Sequence, residues 1–215
     1  MKKYGCILLI FCFHLMVFSQ KPTEKKADLL FEKKSYLKAA AMYEKLQENQ
    51  NTLQNLGDCY YNNAMMKDAA RVYGKLYLIY KDKIDKKYYY KYAHALLGAA
   101  DQEKADAIMS EYFGYEVSTP KFIANLVANV PYNYEVQTMA VKTSNGDFGM
   151  SFYGDKVVFA SYRNGNSKEF GWNNKPYLDL YSAELDEKQM LTKVTPFPSE
   201  INTKTHESNA TFSQD

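Results

Sequence analysis

The feature that most constrains this chain is internal self-similarity, which is the sequence signature of stacked supersecondary units. Ala27-Asp28-Leu29-Leu30-Phe31 aligns with Gly57-Asp58-Cys59-Tyr60-Tyr61 and with Ala93-His94-Ala95-Leu96-Leu97. The first members of these segments stand 30 and 36 residues apart. Twelve residues after each comes an alanine: Ala39, Ala69 and Ala105. Four residues further on is a large side chain (Tyr43, Tyr73, Met109), and three beyond that lie Leu46, Leu76 and Tyr112. The pattern predicts a helix, a short turn and a second helix in each unit, with small residues where the two helices approach closely. One helical pair cannot cover its own apolar face, so such units stack into a continuous core with a concave surface.

This pattern resembles the tetratricopeptide repeat (TPR), whose unit is about 34 residues. The resemblance covers roughly Thr23 to Tyr115. It is strongest over Tyr36 to Leu46 (YLKAAAMYEKL) and Leu53 to Tyr60 (LQNLGDCY). The third unit departs from it, with a lengthened entry from Lys81 to Lys87 and Met109 in place of an aromatic. Of the 20 tyrosines, 13 fall between Tyr36 and Tyr115. Tyr88-Tyr89-Tyr90 with Tyr92 places aromatic groups around most of one helix, so not all of them can be buried. They serve either core packing with an ordinary amphipathic surface, or a partner-binding patch, for which exposed tyrosines are favoured.

The first twenty residues read as a secretory signal. Lys2 and Lys3 form a positive region, Ile7 to Phe18 is an apolar run broken by His14, and polar sequence begins at Ser19-Gln20-Lys21. A run of this length is too short for a transmembrane anchor, which needs roughly 20 apolar residues. Cys12 follows Ile10-Phe11, where a lipid-anchor motif would need small residues. Removal of the signal leaves Cys59 as the single cysteine, so no intramolecular disulfide can form. Its place on the apolar side of a helical pattern marks it as a buried structural thiol. The net charge of +2 resides in Lys2 and Lys3, and the remaining chain is neutral. Nucleic-acid binding, which needs a basic face, is therefore excluded from the expected functions. A charged fraction of 24% and a mean hydropathy of −0.50 exclude a polytopic membrane protein.

After Tyr115 the period changes. Thr119-Pro120 and Val130-Pro131 punctuate a connecting stretch, and Tyr134 to Lys142 reads as a strand. Asn145 to Gly149 reads as a turn, Met150 to Tyr153 as a strand, and Gly154-Asp155 as a tight turn. Lys156 to Ser161 is a β-branched and aromatic strand, Arg163 to Pro176 an Asn- and Gly-rich loop, and Leu178 to Leu185 a further strand before a polar turn at Asp186-Glu187. Gly146 to Asp155 echoes His206 to Asp215 at an offset of 60 residues, with Ser151-Phe152 matching Thr211-Phe212. The echo resembles the opening of a WD-like or TolB-type β-propeller blade. It implies that the sequence stops at the turn where the second blade's next strand should begin, after about one and a half blades. A ring of 4–8 blades is the usual closed form, so the chain is expected to be an N-terminal fragment. The competing expectation is a small β-appendage on a repeat protein, with the echo accidental.

The expected fold is therefore α plus β and multidomain: a TPR-like α-solenoid followed by the first one to two blades of an incomplete propeller. The expected divisions are 1–20 signal peptide, 21–117 helical repeats, 118–133 linker and 134–215 propeller start. Asp147-Phe148-Gly149 matches a kinase metal-binding tripeptide, but no phosphate-cradling loop or strand lysine accompanies it, so it reads as a turn. His94 and His206, the histidines left after the signal, stand too far apart in sequence to suggest a zinc site. Asp147, Asp155, Asp179 and Asp186 lie near turns, where ordinary turn chemistry outweighs calcium binding. Asn209-Ala210-Thr211 is a glycosylation sequon of a kind that arises readily by chance. No catalytic, cofactor-binding or metal residue is assigned.

The order of signal, helical repeats and blades resembles the N-terminal part of OmpA-family proteins of Bacteroidetes-type bacteria, including periplasmic components of type IX secretion and gliding machinery. That resemblance implies a non-catalytic scaffold in the periplasm or at the outer membrane, without cofactor. It implies other envelope proteins as partners through the helices, and peptidoglycan only through a C-terminal domain that this sequence does not contain. The alternatives are an exported propeller enzyme of peptidase type whose catalytic part lies elsewhere, or a binding module accessory to outer-membrane transport.

Overall fold

The computed structural model describes residues 23–130, 146–165, 168–198 and 200–213. The expected signal at 1–20 and the strand expected from Tyr134 to Lys142 lie outside them. The chain is α plus β: seven α-helices precede a four-stranded antiparallel sheet and a small two-stranded one among the described residues.

The helices form three antiparallel hairpins: α1 (Glu24–Glu32) with α2 (Tyr36–Tyr43), α3 (Gln50–Asn62) with α4 (Met66–Tyr80), and α5 (Lys87–Gly98) with α6 (Gln102–Phe113). The small residues singled out by the repeat sit where the helices meet. Ala27, Ala39, Ala69, Ala93 and Ala105 are all 0% exposed. At Gly57 a Cβ atom would fall 2.3 Å from the Tyr73 ring, so any larger residue there would push the two helices apart. Tyr43, Tyr73, Leu53, Leu76 and Val72 fill the space between successive pairs.

The three turns share one backbone solution. Lys34, Ala64 and Ala100, which stand at equivalent positions, adopt left-handed φ of 56°, 55° and 64°. In each turn the next amide donates to a carbonyl five residues back: Ser35 to Leu30, Met65 to Tyr60 and Asp101 to Leu96, at 2.8–2.9 Å. The left-handed residue itself bonds back to Phe31, Tyr61 or Leu97. This is the Schellman arrangement, which satisfies carbonyls that a helix end otherwise leaves unpaired. None of the three is the glycine that this conformation favours, so the turn is held by the packing of the hairpin around it.

The stretch 118–133, read as a linker, carries a seventh helix, α7 (Thr119–Asn129). Pro120 is the reason the sequence misled: it stands in the first turn, where its missing N–H costs nothing. Asp106 anchors the helix start, accepting from the Thr119 amide at 2.9 Å and the Thr119 hydroxyl at 2.5 Å.

The larger sheet contains β1 (Asp147–Tyr153), β2 (Lys156–Ser161), β5 (Asp179–Leu185) and β6 (Leu191–Pro196), in the order β1-β2-β5-β6. A short hairpin of β3 (Glu169–Phe170) and β4 (Lys175–Pro176) is inserted between β2 and β5, inside the stretch read as a loop. Gly154, at φ +60°, opens the two-residue turn that pairs Tyr153 with Lys156, as the sequence indicated. The turn expected through Gly149 is instead strand from Asp147 onward. Gly149 (φ +61°) forms a bulge where the register shifts between Phe148 and Ser151, so its conformational freedom serves a bulge and not a hairpin. Strand β6 went unread because the alternation in Leu191 to Pro196 is short and mostly polar.

Strand β2 is buried on both sides. Val157 and Phe159 join Tyr181 and Ala183 on one face. Val158 and Ala160 join Leu180 on the other, covered by Phe197, Ala210 and Phe212. The echo segment therefore lies beside its earlier copy: Ser151 donates to the Ala210 carbonyl at 2.6 Å, and the rings of Tyr153 and Phe212 are 4.5 Å apart.

Candidate functional site

The repeat places a carboxylate, a tyrosine and an amide or amine together at each of two levels. In the first, the Tyr43 hydroxyl donates to Asp28 Oδ1 at 2.5 Å and accepts from Asn55 Nδ2 at 3.0 Å. In the second, the Tyr73 hydroxyl donates to Asp58 Oδ1 at 2.5 Å, and Lys91 Nζ donates to the same oxygen at 2.7 Å. Burial, and then the bonded carboxylates, push the hydroxyls of Tyr43 and Tyr73 far above the ordinary tyrosine value. Both stay neutral donors at physiological pH and act as braces between helices. Lys91, half-buried, also lies over the rings of Tyr61 (5.7 Å) and Tyr88 (5.4 Å).

The third unit breaks this arrangement. Its equivalent positions hold His94 and Met109, and His94 turns to the second unit, its Nδ1 standing 2.6 Å from the Tyr61 hydroxyl. From there a line of rings crosses the surface. His94 stacks on Tyr90 at 6.1 Å, Tyr90 approaches Tyr112 at 6.3 Å, Tyr112 meets Phe113 at 4.9 Å, and Phe113 stacks on Tyr115 at 5.3 Å. Tyr90 and Phe113 are each 47% exposed and Tyr115 is 62% exposed. The tyrosine run thus divides. Tyr88 and Tyr92, one helical turn apart, are core residues; Tyr89 is tied by its hydroxyl to the Lys81 carbonyl at 3.0 Å; Tyr90 faces outward.

The ring line ends at a groove of about 550 Å3 between α6 and the start of α7, lined by Met109, Phe113, Tyr115, Val117 and Phe122 among others. On α7 itself Phe122, Ile123, Leu126 and Val127 are exposed.

Sequence reasoning missed Trp172, the chain's one tryptophan. It stands at the tip of the β3–β4 hairpin and reaches the helices. Its ring meets Tyr36 edge-on at 4.8 Å, its Nε1–H donates to the Asn62 carbonyl at 3.0 Å, and Lys34 lies 5.8 Å above it. A lone Trp in an Asn- and Gly-rich stretch was the signal that a polar loop would carry an anchor.

The other candidates are structural. Cys59 is fully buried, and desolvation pushes its thiol up to about 12, which leaves negligible thiolate. His206 sits between Phe170 and Tyr177, at 4.6 Å from each ring, and accepts the Leu178 amide. Asp147 pairs with Arg163, Asp179 accepts from Asn164, and Asp186 closes its own turn through the amides of Lys188 and Met190. Among the described residues no group of three or more His, Cys, Asp or Glu is placed to hold a metal, and no helix is long and apolar enough to cross a membrane.

Comparison with family models, with curated proteins and with solved structures found no match to this chain.

Proposed function

We propose that this chain is a non-catalytic docking module of the cell envelope, in which TPR-like hairpins hold a protein segment against the aromatic surface of α5 and α6. The observation that carries the reading is the continuous line of half-exposed rings from Tyr61 to Tyr115. Rigid aromatic side chains with a polar tip give large contact area at low entropic cost, which is why they dominate interface energetics. The repeated Schellman turns and the buried alanines support a TPR-like solenoid. The sequential four-stranded antiparallel order, with apolar residues on both faces of β2, supports a blade of a propeller, since such a sheet needs a layer on either side. The signal-like run of residues 1–20 supports export, and the resemblance to OmpA-family proteins supports a site at the periplasmic side of the outer membrane.

The test is recovery of envelope complexes after mild cross-linking, using the full chain and a Tyr90→Ala/Phe113→Ala variant. The expected result is at least a tenfold loss of one co-purified envelope protein with an unchanged thermal midpoint. Equal recovery by the variant contradicts the docking surface. Recovery of sugar-import components without secretion or cell-wall components would move the module to nutrient capture.

A further inference from the structure

The gap between successive second helices is bridged in one place and open in the next. Between α2 and α4 the two walls carry opposite charges: Glu44 pairs with Arg71 at 2.9 Å, and Glu48 pairs with Lys75. One unit along the repeat, Glu44 becomes Gly74 and Glu48 becomes Leu78, while Arg71 and Lys75 become Ala107 and Glu111. Neither pair can form across the second gap, and Glu111 turns instead to Tyr77 and Lys81. What remains there is a groove of about 460 Å3 between α4 and the start of α6.

The floor of this groove is small and apolar, formed by Ala70, Gly74, Leu96 and Ala99. A Cβ at Gly74 would lie 3.2 Å from the Tyr92 hydroxyl, so the glycine keeps the floor low. Its walls are basic. Lys67, Arg71 and Lys75 stand four residues apart along α4, on one face, and Lys104 rises from α6, 5.7 Å over the Tyr92 ring. Among the described residues that line the groove, Asp101 alone is acidic, and its carboxylate accepts the Lys104 amide at 3.4 Å. Arg71 and Lys75 share their charge with Glu44 and Glu48, and Arg71 also meets Asp68 at 3.5 Å. Lys67 and Lys104 enter none of the ion pairs among the described residues.

We propose that this groove binds an acidic segment of a partner protein, whose carboxylates take the places that Glu44 and Glu48 hold in the first gap. Charge complementarity selects the occupant. Cations set around an apolar floor attract carboxylates and repel a basic segment. The groove is distinct from the ring line. Tyr92 and Leu96 line it, whereas Tyr90 and His94 lie on the opposite side of α5, so the two surfaces take separate ligands.

The experiment titrates the full chain into a fluorescent hexaglutamate peptide, with hexalysine as the control, and follows anisotropy. The expected result is saturable binding of hexaglutamate only, weakening as salt rises. Lys67→Glu with Lys104→Glu, both at exposed positions, should weaken it at least tenfold with an unchanged thermal midpoint. Leu78→Glu, at a position 82% exposed, restores a carboxylate that the repeat lost and should weaken binding at least threefold. The Tyr90→Ala/Phe113→Ala variant should bind the peptide as the unaltered chain does, so this result and the ring-line docking surface stand or fall independently. No saturable binding, or binding that survives Lys67→Glu with Lys104→Glu, overturns the proposal. Binding to anionic lipid vesicles that those two substitutions abolish, with the peptide left unbound, also overturns it, because it places a membrane surface on the groove.

Discussion

The second and third helical hairpins use the same backbone for different ends. In the second, Tyr73 is 1% exposed and braced to Asp58, and the unit turns its bonding inward. In the third, the same two positions are Met109 and His94, and the polar contact is made sideways, to Tyr61. The inward brace is gone, and the rings of Tyr90, Tyr112 and Phe113 are left at the surface. A repeat that departs from its own pattern without losing its turn geometry marks the place where the sequence serves something besides folding.

The comparison breaks most sharply at the core position. Tyr73→Ala should destabilise the protein by about 3–5 kcal/mol, whereas Met109→Ala at the equivalent site should cost on the order of 1 kcal/mol. Urea unfolding with an unchanged m-value measures both. Removing only the hydroxyl separates brace from packing. Tyr73→Phe leaves Asp58 with Lys91 alone and should cost about 1–3 kcal/mol, because a buried acceptor loses a partner.

The buried tyrosines make the helical hairpins sensitive to alkali. Folded-state values for Tyr43, Tyr60, Tyr73 and Tyr88 are raised, in each case chiefly by burial. Raised values mean that the folded state holds its protons longer than the unfolded chain. Their contribution to stability is complete below the unfolded tyrosine value of about 10, and it is lost as pH rises beyond that. Phenolate absorbance should therefore show a class of tyrosines that ionises only as the helical signal collapses, and Tyr43→Phe with Tyr73→Phe should shrink that class. The smallest effect belongs to the feature the hairpins share. Ala64→Gly and Ala100→Gly should each raise stability by about 0.5–1 kcal/mol, since glycine occupies the left-handed position without the Cβ clash. Thermal melts of the two variants should agree if the turns are equivalent.

The helical half was legible because its signal is redundant. Ala27, Ala39, Ala69, Ala93 and Ala105 recur at fixed offsets, and each falls at a helix contact. The sheet was partly legible: Lys156 to Ser161 announced itself through its β-branched and aromatic run, while the short, mostly polar Leu191 to Pro196 did not. Gly149 and Pro120 misdirected the reading because each residue type has two uses, bulge or turn for one, helix start or helix break for the other. The exposed ring line was open as one of two readings of the tyrosine run, and the split between Tyr88 and Tyr90 required the helix phase. Trp172 carried a signal only as a lone Trp in a polar stretch; where it anchors was out of reach, since its contacts with Tyr36 and Asn62 join distant parts of the chain.

The most direct test of the docking surface is site-specific photo-cross-linking in cells, with the reactive residue placed at Tyr90, at Tyr115 or at Lys67. The account predicts one and the same envelope protein captured from Tyr90 and Tyr115 and none of it from Lys67. Capture of that protein from Lys67 alone, or no specific capture from either aromatic position, would contradict it.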